Sequence, residues 1–229
     1  MKKIPLILFS LFLLVDVAGQ EESPNVPLTF GADLVNRYIF RGLDFGSSPA
    51  IQPSLVFSTG NFTLGAWGSY AFVASPAGIE ADLYAFYSFD FGLSVGITDY
   101  YFPSERLKID QNVILPVRSG KYFDYAHHHY LELNATQSLG SFRLNANYGF
   151  LNLDHAVYLE AGYALKWADL FVGAGNGLYS LSGKFNVVNV GIKASREVAL
   201  TKDYSFSLSS SLILNPNAEQ IHLVFCLSL

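Results

Sequence analysis

Residues 79–87 read IEADLYAFY, and their character changes at every second position. One set of alternate residues is apolar, whereas the other set begins with Glu80 and Asp82. Successive side chains of a β-strand point to opposite faces, so this pattern predicts a strand with one apolar face and one polar face. The fold then depends on what each face meets.

The same two-residue period returns along the rest of the chain. It is clear at 28–34, 62–67, 131–136, 142–148, 157–163 and 204–209, weaker at 51–58, 91–98, 169–175 and 186–195, and present again in the final IHLVFCLSL, residues 221–229. We therefore predict about twelve strands, and an even number is typical of bacterial membrane barrels. The last strand resembles the terminal segment that outer-membrane assembly machinery recognises, although it ends in Leu where Phe is more usual.

Composition decides which medium the apolar faces meet. Only 14% of residues are charged, 15% are aromatic and the mean hydropathy is +0.28. A soluble sandwich or lipocalin, which is the alternative, usually exposes many Lys, Glu and Asp, whereas the polar positions here are mainly Gly, Ser, Thr and Asn. No run of 18 apolar residues follows the N-terminal segment, so spanning helices are not expected. We predict an all-β protein, a transmembrane antiparallel β-barrel.

The N-terminus predicts export. Residues 1–19 have a basic start, an apolar stretch at 4–15 and small residues before Gln20, which is typical of a cleaved signal peptide. A membrane-anchoring helix is the alternative, but the stretch is short for a span and Asp16 interrupts its end. Residues 20–229 then form one outer-membrane β-barrel domain.

Charge and cysteine content exclude other classes. The formal net charge is −5, which offers no basic field for nucleic acid, so we expect no nucleic-acid partner. The single cysteine, Cys226, cannot form an intramolecular disulfide. We also expect no cofactor and no metal.

Connections and aromatic residues support the barrel prediction. If the N-terminus lies in the periplasm, the periplasmic turns are short and the external loops longer, above all at 101–124; the segment 196–203 is a longer exception. Aromatic residues near strand ends predict interfacial girdles. The aromatic groups in question are Tyr38-Phe40, Tyr70-Phe72, Tyr100-Tyr101-Phe102, Tyr122-Phe123-Tyr125 and Trp167.

Two arginines stand in the stretch VNRYIFRGLDFGSSPAIQ, residues 35–52. We predict a strand here, which sends Arg37 and Arg41 into the lumen and Tyr38 and Phe40 to the opposite face. By the same parity, nine charged residues are candidates for lining the lumen, because charge facing lipid is costly. The nine candidates are Asp33, Arg37, Arg41, Glu80, Asp82, Glu132, Arg143, Glu160 and Lys193.

These charges have two possible roles. Arg41 could pair with Glu80, Asp82 or Glu132 and fix the packing of a narrow interior. Alternatively, unpaired members could line a water path and select solutes by charge.

The run His127-His128-His129 does not predict a metal site. On a strand, His128 points away from its two neighbours, so the three rings cannot converge on one ion unless the segment is a loop. A Ser/His pair from different strands could form an esterase site, but the chain has no Gly-x-Ser-x-Gly motif. We therefore expect a protein that is not an enzyme.

The first third of the chain resembles a known family. NRYIFRGLDFGSSPAIQPSL, followed by GNFTLGAWGSYAF and EADLYAFY, resembles the Gcw_chp (TorF) family of exported Gram-negative proteins, which carries a porin label without an established substrate. Two departures are Arg37 after the Asn and the absence of a terminal aromatic residue. The matching residues are Asn36, Tyr38, Arg41, Gly42, Pro49, Ala50, Gln52, Gly65, Trp67, Ser69, Glu80, Asp82 and Tyr84.

The sequence thus predicts an outer-membrane, porin-like channel for small hydrophilic solutes. Its expected partners are outer-membrane lipid, lipopolysaccharide and the barrel-assembly machinery, besides the solute. The alternatives are an enzyme that modifies lipids or esters, and a closed barrel that is structural or takes up hydrophobic compounds.

Overall fold

The alternating segments close into a barrel of twelve antiparallel strands in a computed structural model of the chain. The structure describes residues 27–73, 79–103, 122–202 and 204–229. The predicted signal peptide, residues 1–19, and most of the predicted loop 101–124 lie outside the described residues. No helix within the described ranges has the length and hydropathy needed to cross a membrane.

The described residues form fourteen strands, twelve of which make up the barrel wall. Each wall strand pairs with its neighbours in the chain, and the last pairs with the first. The strands are β1 Leu28–Val35, β2 Ile39–Phe40, β3 Leu43–Asp44, β4 Ala50–Thr59, β5 Phe62–Ala71, β6 Ile79–Ser88, β7 Leu93–Tyr101, β8 His129–Leu139, β9 Phe142–Leu151, β10 Val157–Ala164, β11 Asp169–Gly175, β12 Asn186–Ala199, β13 Ser205–Asn215 and β14 Gln220–Ser228. β2 and β3 pair only with each other, as a hairpin apart from the wall.

The two faces of the wall differ as the alternation predicts. On β6, Leu83 is 48% exposed, whereas Glu80 and Asp82 are each 2% exposed. Phe30 on β1 is 69% exposed, and its near neighbour Asp33 is buried. The outer face is therefore apolar and the inner face polar, which confirms the predicted all-β barrel of about twelve strands.

The two ends of the barrel have connections of different length. At the turn end, where β1 begins and β14 ends, the connections are 60–61, 89–92, 140–141, 165–168 and 200–204. At the opposite loop end they include 36–49, 102–128 and 176–185. The asymmetry is as predicted, but the predicted long segment 196–203 is wrong in part, because β12 continues to Ala199 in register with Ser205 of β13.

The predicted strand across residues 35–52 is wrong. β1 ends at Val35, and residues 36–49, which we call the inner segment, leave the wall and fold into the barrel around the β2–β3 hairpin. The chain reverses at Arg41 and Gly42, whose φ angles of 51° and 81° are incompatible with a strand. The Arg41 side chain therefore reaches the lumen from the tip of the inner segment and not from a wall strand.

Three residues of the predicted girdles also lie inside the barrel. Tyr38 and Phe40 belong to the inner segment and pack inside, and Tyr100 of β7 is only 5% exposed. Tyr70 and Phe72, by contrast, are 44% and 65% exposed. Position near a strand end therefore does not by itself show whether an aromatic side chain faces outward.

Candidate functional site in the barrel lumen

Arg41 anchors the tip of the inner segment to the far wall. Its Nη1 lies 2.6 Å from Oε2 of Glu132 and its Nη2 2.8 Å from Oε1, so the guanidinium meets the carboxylate with two parallel hydrogen bonds. Arg41 is 7% exposed and Glu132 on β8 is fully buried. Of the three acids that the sequence offered as partners of Arg41, the structure selects Glu132. Glu80 and Asp82 are not paired with it.

Tyrosines complete the environment of this ion pair. Tyr179 donates to Oε2 of Glu132 at 2.8 Å and Tyr100 donates to Oε1 at 2.9 Å. Burial raises the pKa of the Tyr179 hydroxyl, which keeps it protonated as a donor. The Arg41 guanidinium also lies 4.6 Å from the centre of the Tyr158 ring, a cation–π distance. Each charge of the pair is therefore compensated inside the barrel.

Gly42 allows the turn to approach the wall. A Cβ atom at this position would lie 2.0 Å from the carbonyl oxygen of Val188 on β12, which is a steric clash. Only glycine, which has no Cβ, fits here. The Gly42 carbonyl in turn accepts a hydrogen bond of 3.1 Å from the side chain of Asn215 on β13. The inner segment thus contacts both halves of the wall.

Aromatic side chains fill the space on the other flank of the inner segment. The Tyr38 ring packs against Trp67 on β5 and against Phe45, each with ring centres 5.4 Å apart. Phe40 packs against Tyr100 at 5.9 Å. This apolar packing holds the segment at the loop end of the lumen.

Arg37 has a different role from Arg41. It pairs with Asp44 of the same segment at 2.9 Å, and its side chain remains 40% exposed. Asp44 also accepts from the backbone N–H of Ser47, which has a φ of 50°. The pair closes the inner segment on itself.

A polar network fills the lumen on the side of β8 to β12. Oε2 of Glu160 accepts from Tyr158 at 2.6 Å and from Asn189 at 3.1 Å, and Oε1 accepts from Asn145 at 3.3 Å. Arg143 on β9 is the register partner of Gly162 on β10. Gly162 is two residues from Glu160, on the same face of the strand. The network joins side chains of β9, β10 and β12 across this part of the lumen.

Glu80 and Asp82 form a second acidic group, on β6. Both are 2% exposed, and neither oxygen of Asp82 nor Oε2 of Glu80 has a hydrogen-bond partner among the described residues. The buried indole N–H of Trp67, in register with Asp82 on β5, also has none there. Two carboxyl groups side by side without a bonded cation are costly to ionise together.

A cavity of about 50 Å³ remains between the inner segment and the wall formed by β12, β13, β14 and β1. This volume has room for a few water molecules. Its lining combines hydroxyl groups, one acid and two basic side chains. The polar lining residues are Asp33, Arg37, Tyr38, Gln52, Lys193, Ser209, Ser211, Cys226 and Ser228.

The structure places all nine predicted charged candidates inside the barrel, but in separate groups. It joins Arg41 to Glu132 and sets Asp33, Arg37 and Lys193 around the cavity. The remaining four belong to the acidic group on β6 and to the polar network; they are Glu80, Asp82, Arg143 and Glu160. That any of them lines a water path stays a prediction.

Sequence reasoning missed the partners that hold the inner segment. Tyr158, Tyr179 and Asn215 carried no recognisable signal, because each is one of many similar residues in the chain. One available signal was overlooked. RGLDFGSS, residues 41–48, contains two glycines with Asp and Ser, a composition typical of turns and unfavourable in a continuous strand.

The histidine run lies at the loop end, partly in a turn as β8 begins. His127 hydrogen-bonds Asp124 at 2.9 Å and lowers the pKa of that exposed carboxyl group. His129 is fully buried, with Nδ1 2.8 Å from Asp99 and Nε2 bonded to the Tyr122 carbonyl oxygen. No group of His, Cys, Asp or Glu suited to a metal ion occurs in the described part of the chain.

The residues that carried the family resemblance converge on the inner segment. Gly42 and Arg41 form its turn, Tyr38 packs on Trp67, and the Asn36 side chain bonds β14 where the segment begins. Glu80 and Asp82 lie on β6, which pairs with the Trp67 strand, and Gln52 of β4 bonds Ser69 of β5 at 3.2 Å. Residues that are dispersed in the sequence motif thus lie together, in the inner segment and on the wall strands that support it.

Comparison with known proteins identifies a family and a similarity to solved structures. Residues 19–177 match the model of a family described as "Bacterial protein of unknown function (Gcw_chp)". A solved structure of OmpT folded in vitro, an outer membrane protein of Vibrio cholerae, matches with 14% sequence identity and a TM-score of 0.30. That match covers 93% of this chain and 71% of the OmpT chain. No curated protein matches the chain significantly.

Proposed function

Because this chain belongs to the Gcw_chp family, whose description assigns no activity, we propose its function from the barrel itself: it is a narrow outer-membrane channel for small hydrophilic solutes. In this proposal the turn end faces the periplasm and the loop end faces the outside. The inner segment then enters the lumen from the external side.

The outer face supports a membrane location. Leucine, isoleucine, valine and aromatic side chains are exposed all around the wall, as at Leu64, Leu83, Leu144 and Leu212. In water such a surface is unfavourable, whereas lipid accepts it without cost. A closed barrel also satisfies its backbone hydrogen bonds without water, which the bilayer requires. Trp167, 69% exposed at the turn end, suits the membrane interface.

The polar cavity is the observation that carries the channel proposal. It lies beside the inner segment and follows hydroxyl-bearing positions of β13 and β14, including Ser209, Ser211 and Ser228. Hydroxyl groups both donate and accept hydrogen bonds, so they replace the water that a small solute gives up. The Glu160 side chain, by contrast, is engaged in hydrogen bonds with Tyr158, Asn189 and Asn145, so passage is proposed on the side of the cavity.

The cavity also sets a size limit. A space for a few water molecules suits water and small ions, and larger solutes require the inner segment to move. Arg41 is the contact that opposes such movement, since it bonds the tip of the segment to Glu132. The inner segment is therefore the constriction of the proposed channel.

Conductance in planar bilayers tests the proposal. The purified protein should give small steps, and Arg41→Ala should enlarge them because the constriction loses its anchor. Asp33→Asn should shift the reversal potential toward anions and Lys193→Ala toward cations, since they remove opposite charges from the cavity. Absence of conductance in both the native protein and Arg41→Ala would contradict the channel proposal.

The enzyme and closed-barrel alternatives make different predictions. An enzyme would hydrolyse acyl-ester substrates, and activity would disappear when one particular lumen Ser or His is replaced. A closed structural barrel would give no conductance in any variant and would lose only stability. Both assays use the same purified protein as the conductance measurement.

A further inference from the structure

The barrel closes through its shortest ladder. β1 and β14 share three register pairs, Asp33 with Ser228, Leu34 with Leu227 and Val35 with Cys226. Every other ladder of the wall has at least seven, as between β10 and β11, and the β12–β13 ladder has ten. Backbone hydrogen bonds between Ala32 and Leu229, and from the Asn36 N–H to the Phe225 carbonyl, extend the seam at its two ends. The seam between β1 and β14 is still the ladder with the fewest register pairs.

The inward fold of the chain shortens this seam. Above Val35 the chain leaves the wall, so the loop-end part of β14, residues 220–222, pairs with β13 but with no strand on its other edge within the described residues. At Asn36 the backbone N–H still bonds the Phe225 carbonyl at 3.1 Å, and the side chain adds two further bonds to β14. It donates to the Leu223 carbonyl at 3.1 Å and accepts from the Phe225 N–H at 2.8 Å.

The polar cavity lies directly behind the seam. Val35 and Arg37 line it from the β1 side, and Val224 and Cys226 line it from β14. Asp33, two residues before Val35 on β1, also lines the cavity. It is 6% exposed, and its Oδ1 has no hydrogen-bond partner among the described residues. A buried carboxylate oxygen facing a cavity favours a ligand that donates a hydrogen bond.

The outer side of the same seam is apolar. Leu34 is 37% exposed, and Leu223 and Phe225 are each 55% exposed. At this place a single layer of backbone separates an apolar exterior from a polar cavity, and Asn36 bridges it with its side chain and with a backbone hydrogen bond of 3.1 Å to the Phe225 carbonyl. A molecule with a small polar head and an apolar chain matches both sides at once.

We infer that the β1–β14 seam is a lateral gate, through which the head group of an amphiphile enters the cavity from the bilayer while its chain stays in lipid. The inference rests on the proposed membrane location, but not on axial conductance. The hydrogen bonds of Asn36 to β14 keep the gate closed. Asp33 accepts a hydrogen bond from a hydroxyl or ammonium group of the entering head.

The single native cysteine offers a direct test, because Cys226 lies in the cavity on one edge of the seam. The protein is reconstituted in phosphatidylcholine vesicles and treated with N-dodecylmaleimide, which is itself an amphiphile with a small head. A sulfonated, membrane-impermeant maleimide measures access from water. Labelling of Cys226 is followed by mass spectrometry.

Asn36→Ala should raise the rate of labelling by N-dodecylmaleimide about five-fold, the factor for one net hydrogen bond. The rate with the sulfonated reagent should not change. Asn152→Ala is the matched control, since it also removes two side-chain bonds to the backbone, here to the carbonyls of Tyr125 and His129, but far from the seam. Asn36→Asp keeps the acceptor for the Phe225 N–H and should raise the rate of labelling less than five-fold. It serves as the test variant if Asn36→Ala fails to assemble.

Competition tests the head group. 1-Dodecanol, which offers a hydroxyl donor, should slow labelling in the native protein, whereas n-dodecane should not. Equal labelling rates in the native protein and both Asn36 variants, or an equal rise with the sulfonated reagent, would overturn the lateral gate. Conductance is measured separately, so that result would leave the channel proposal standing.

Discussion

Arg41 and Glu132 are 91 residues apart in the chain and meet inside the barrel, with Nη1 to Oε2 at 2.6 Å and Nη2 to Oε1 at 2.8 Å. Both groups are withdrawn from water, so each depends on the other and on Tyr100 and Tyr179 for compensation. The pair connects the turn of the inner segment to β8 and thereby fixes the position of that turn inside the lumen.

Arg41→Ala should lower the free energy of unfolding by about 3–5 kcal/mol, because it leaves a buried carboxylate without its cation. Denaturant unfolding in detergent measures the change. Adding Glu132→Gln should recover part of the loss. Arg37→Ala is the matched control and should cost no more than about 1 kcal/mol, since its partner Asp44 lies in the same partly exposed segment. Similar losses in both single variants would contradict this role for Arg41.

Gly42→Ala should destabilise the barrel more than Gly60→Ala. Both glycines have positive φ, but a Cβ at Gly42 would lie 2.0 Å from the Val188 oxygen, while nothing lies within 4 Å of one at Gly60. Gly60→Ala then reports the backbone strain alone, about 1 kcal/mol. Thermal unfolding of the two proteins side by side checks the difference. Equal midpoints would mean that the turn does not press against β12.

Val35→Cys should form a disulfide with the native Cys226 on mild oxidation, because the two are register partners across the seam. Ser209→Cys is the matched control, as Ser209 is the register partner of Cys226 on the β13 side. Paired antiparallel residues have Cα separations that suit a disulfide. Loss of free thiol by mass spectrometry is the measurement. A bond in the Ser209 variant alone would place β1 in another register.

Leu83→Arg should prevent assembly far more than Ser207→Arg. Leu83 is 48% exposed on the outer face, where arginine costs about 2–4 kcal/mol at the bilayer midplane. Ser207 of β13 has the same parity as Ser209 and faces the lumen. The fraction of protein that migrates faster unboiled than boiled on a gel measures assembly. Equal tolerance of both changes would refute the assignment of faces.

Asp82→Asn should leave stability unchanged or raise it, in contrast to Glu132→Gln in the native background. Neither Asp82 oxygen has a hydrogen-bond partner among the described residues, and Glu80 lies two positions away on the same face. Asp82→Asn removes a buried acidic group whose ionisation beside Glu80 is costly, whereas removing the charge of Glu132 leaves Arg41 unpaired. Melting temperatures of the two variants decide. A large loss in Asp82→Asn would reveal a cationic partner for that group.

Much of the wall could be predicted from the sequence because strand parity is a local property. Alternation at IEADLYAFY already assigns Leu83 to one face and Glu80 and Asp82 to the other, since side chains repeat every two residues whatever the strand pairs with. The low charge content then identifies the outer medium as apolar. Turn lengths follow from the spacing between segments, and they fix the antiparallel order of neighbours.

The arrangement inside the lumen was decided only by the tertiary structure. Glu80, Asp82 and Glu132 all have inward parity, so parity cannot choose among them as the partner of Arg41. The choice depends on the turn at Gly42, which redirects residues 36–49 from the wall to β8. The length of the β1–β14 seam likewise follows from that departure at Asn36. Local periodicity determines the face of each residue, whereas contacts between distant strands depend on closure of the whole barrel.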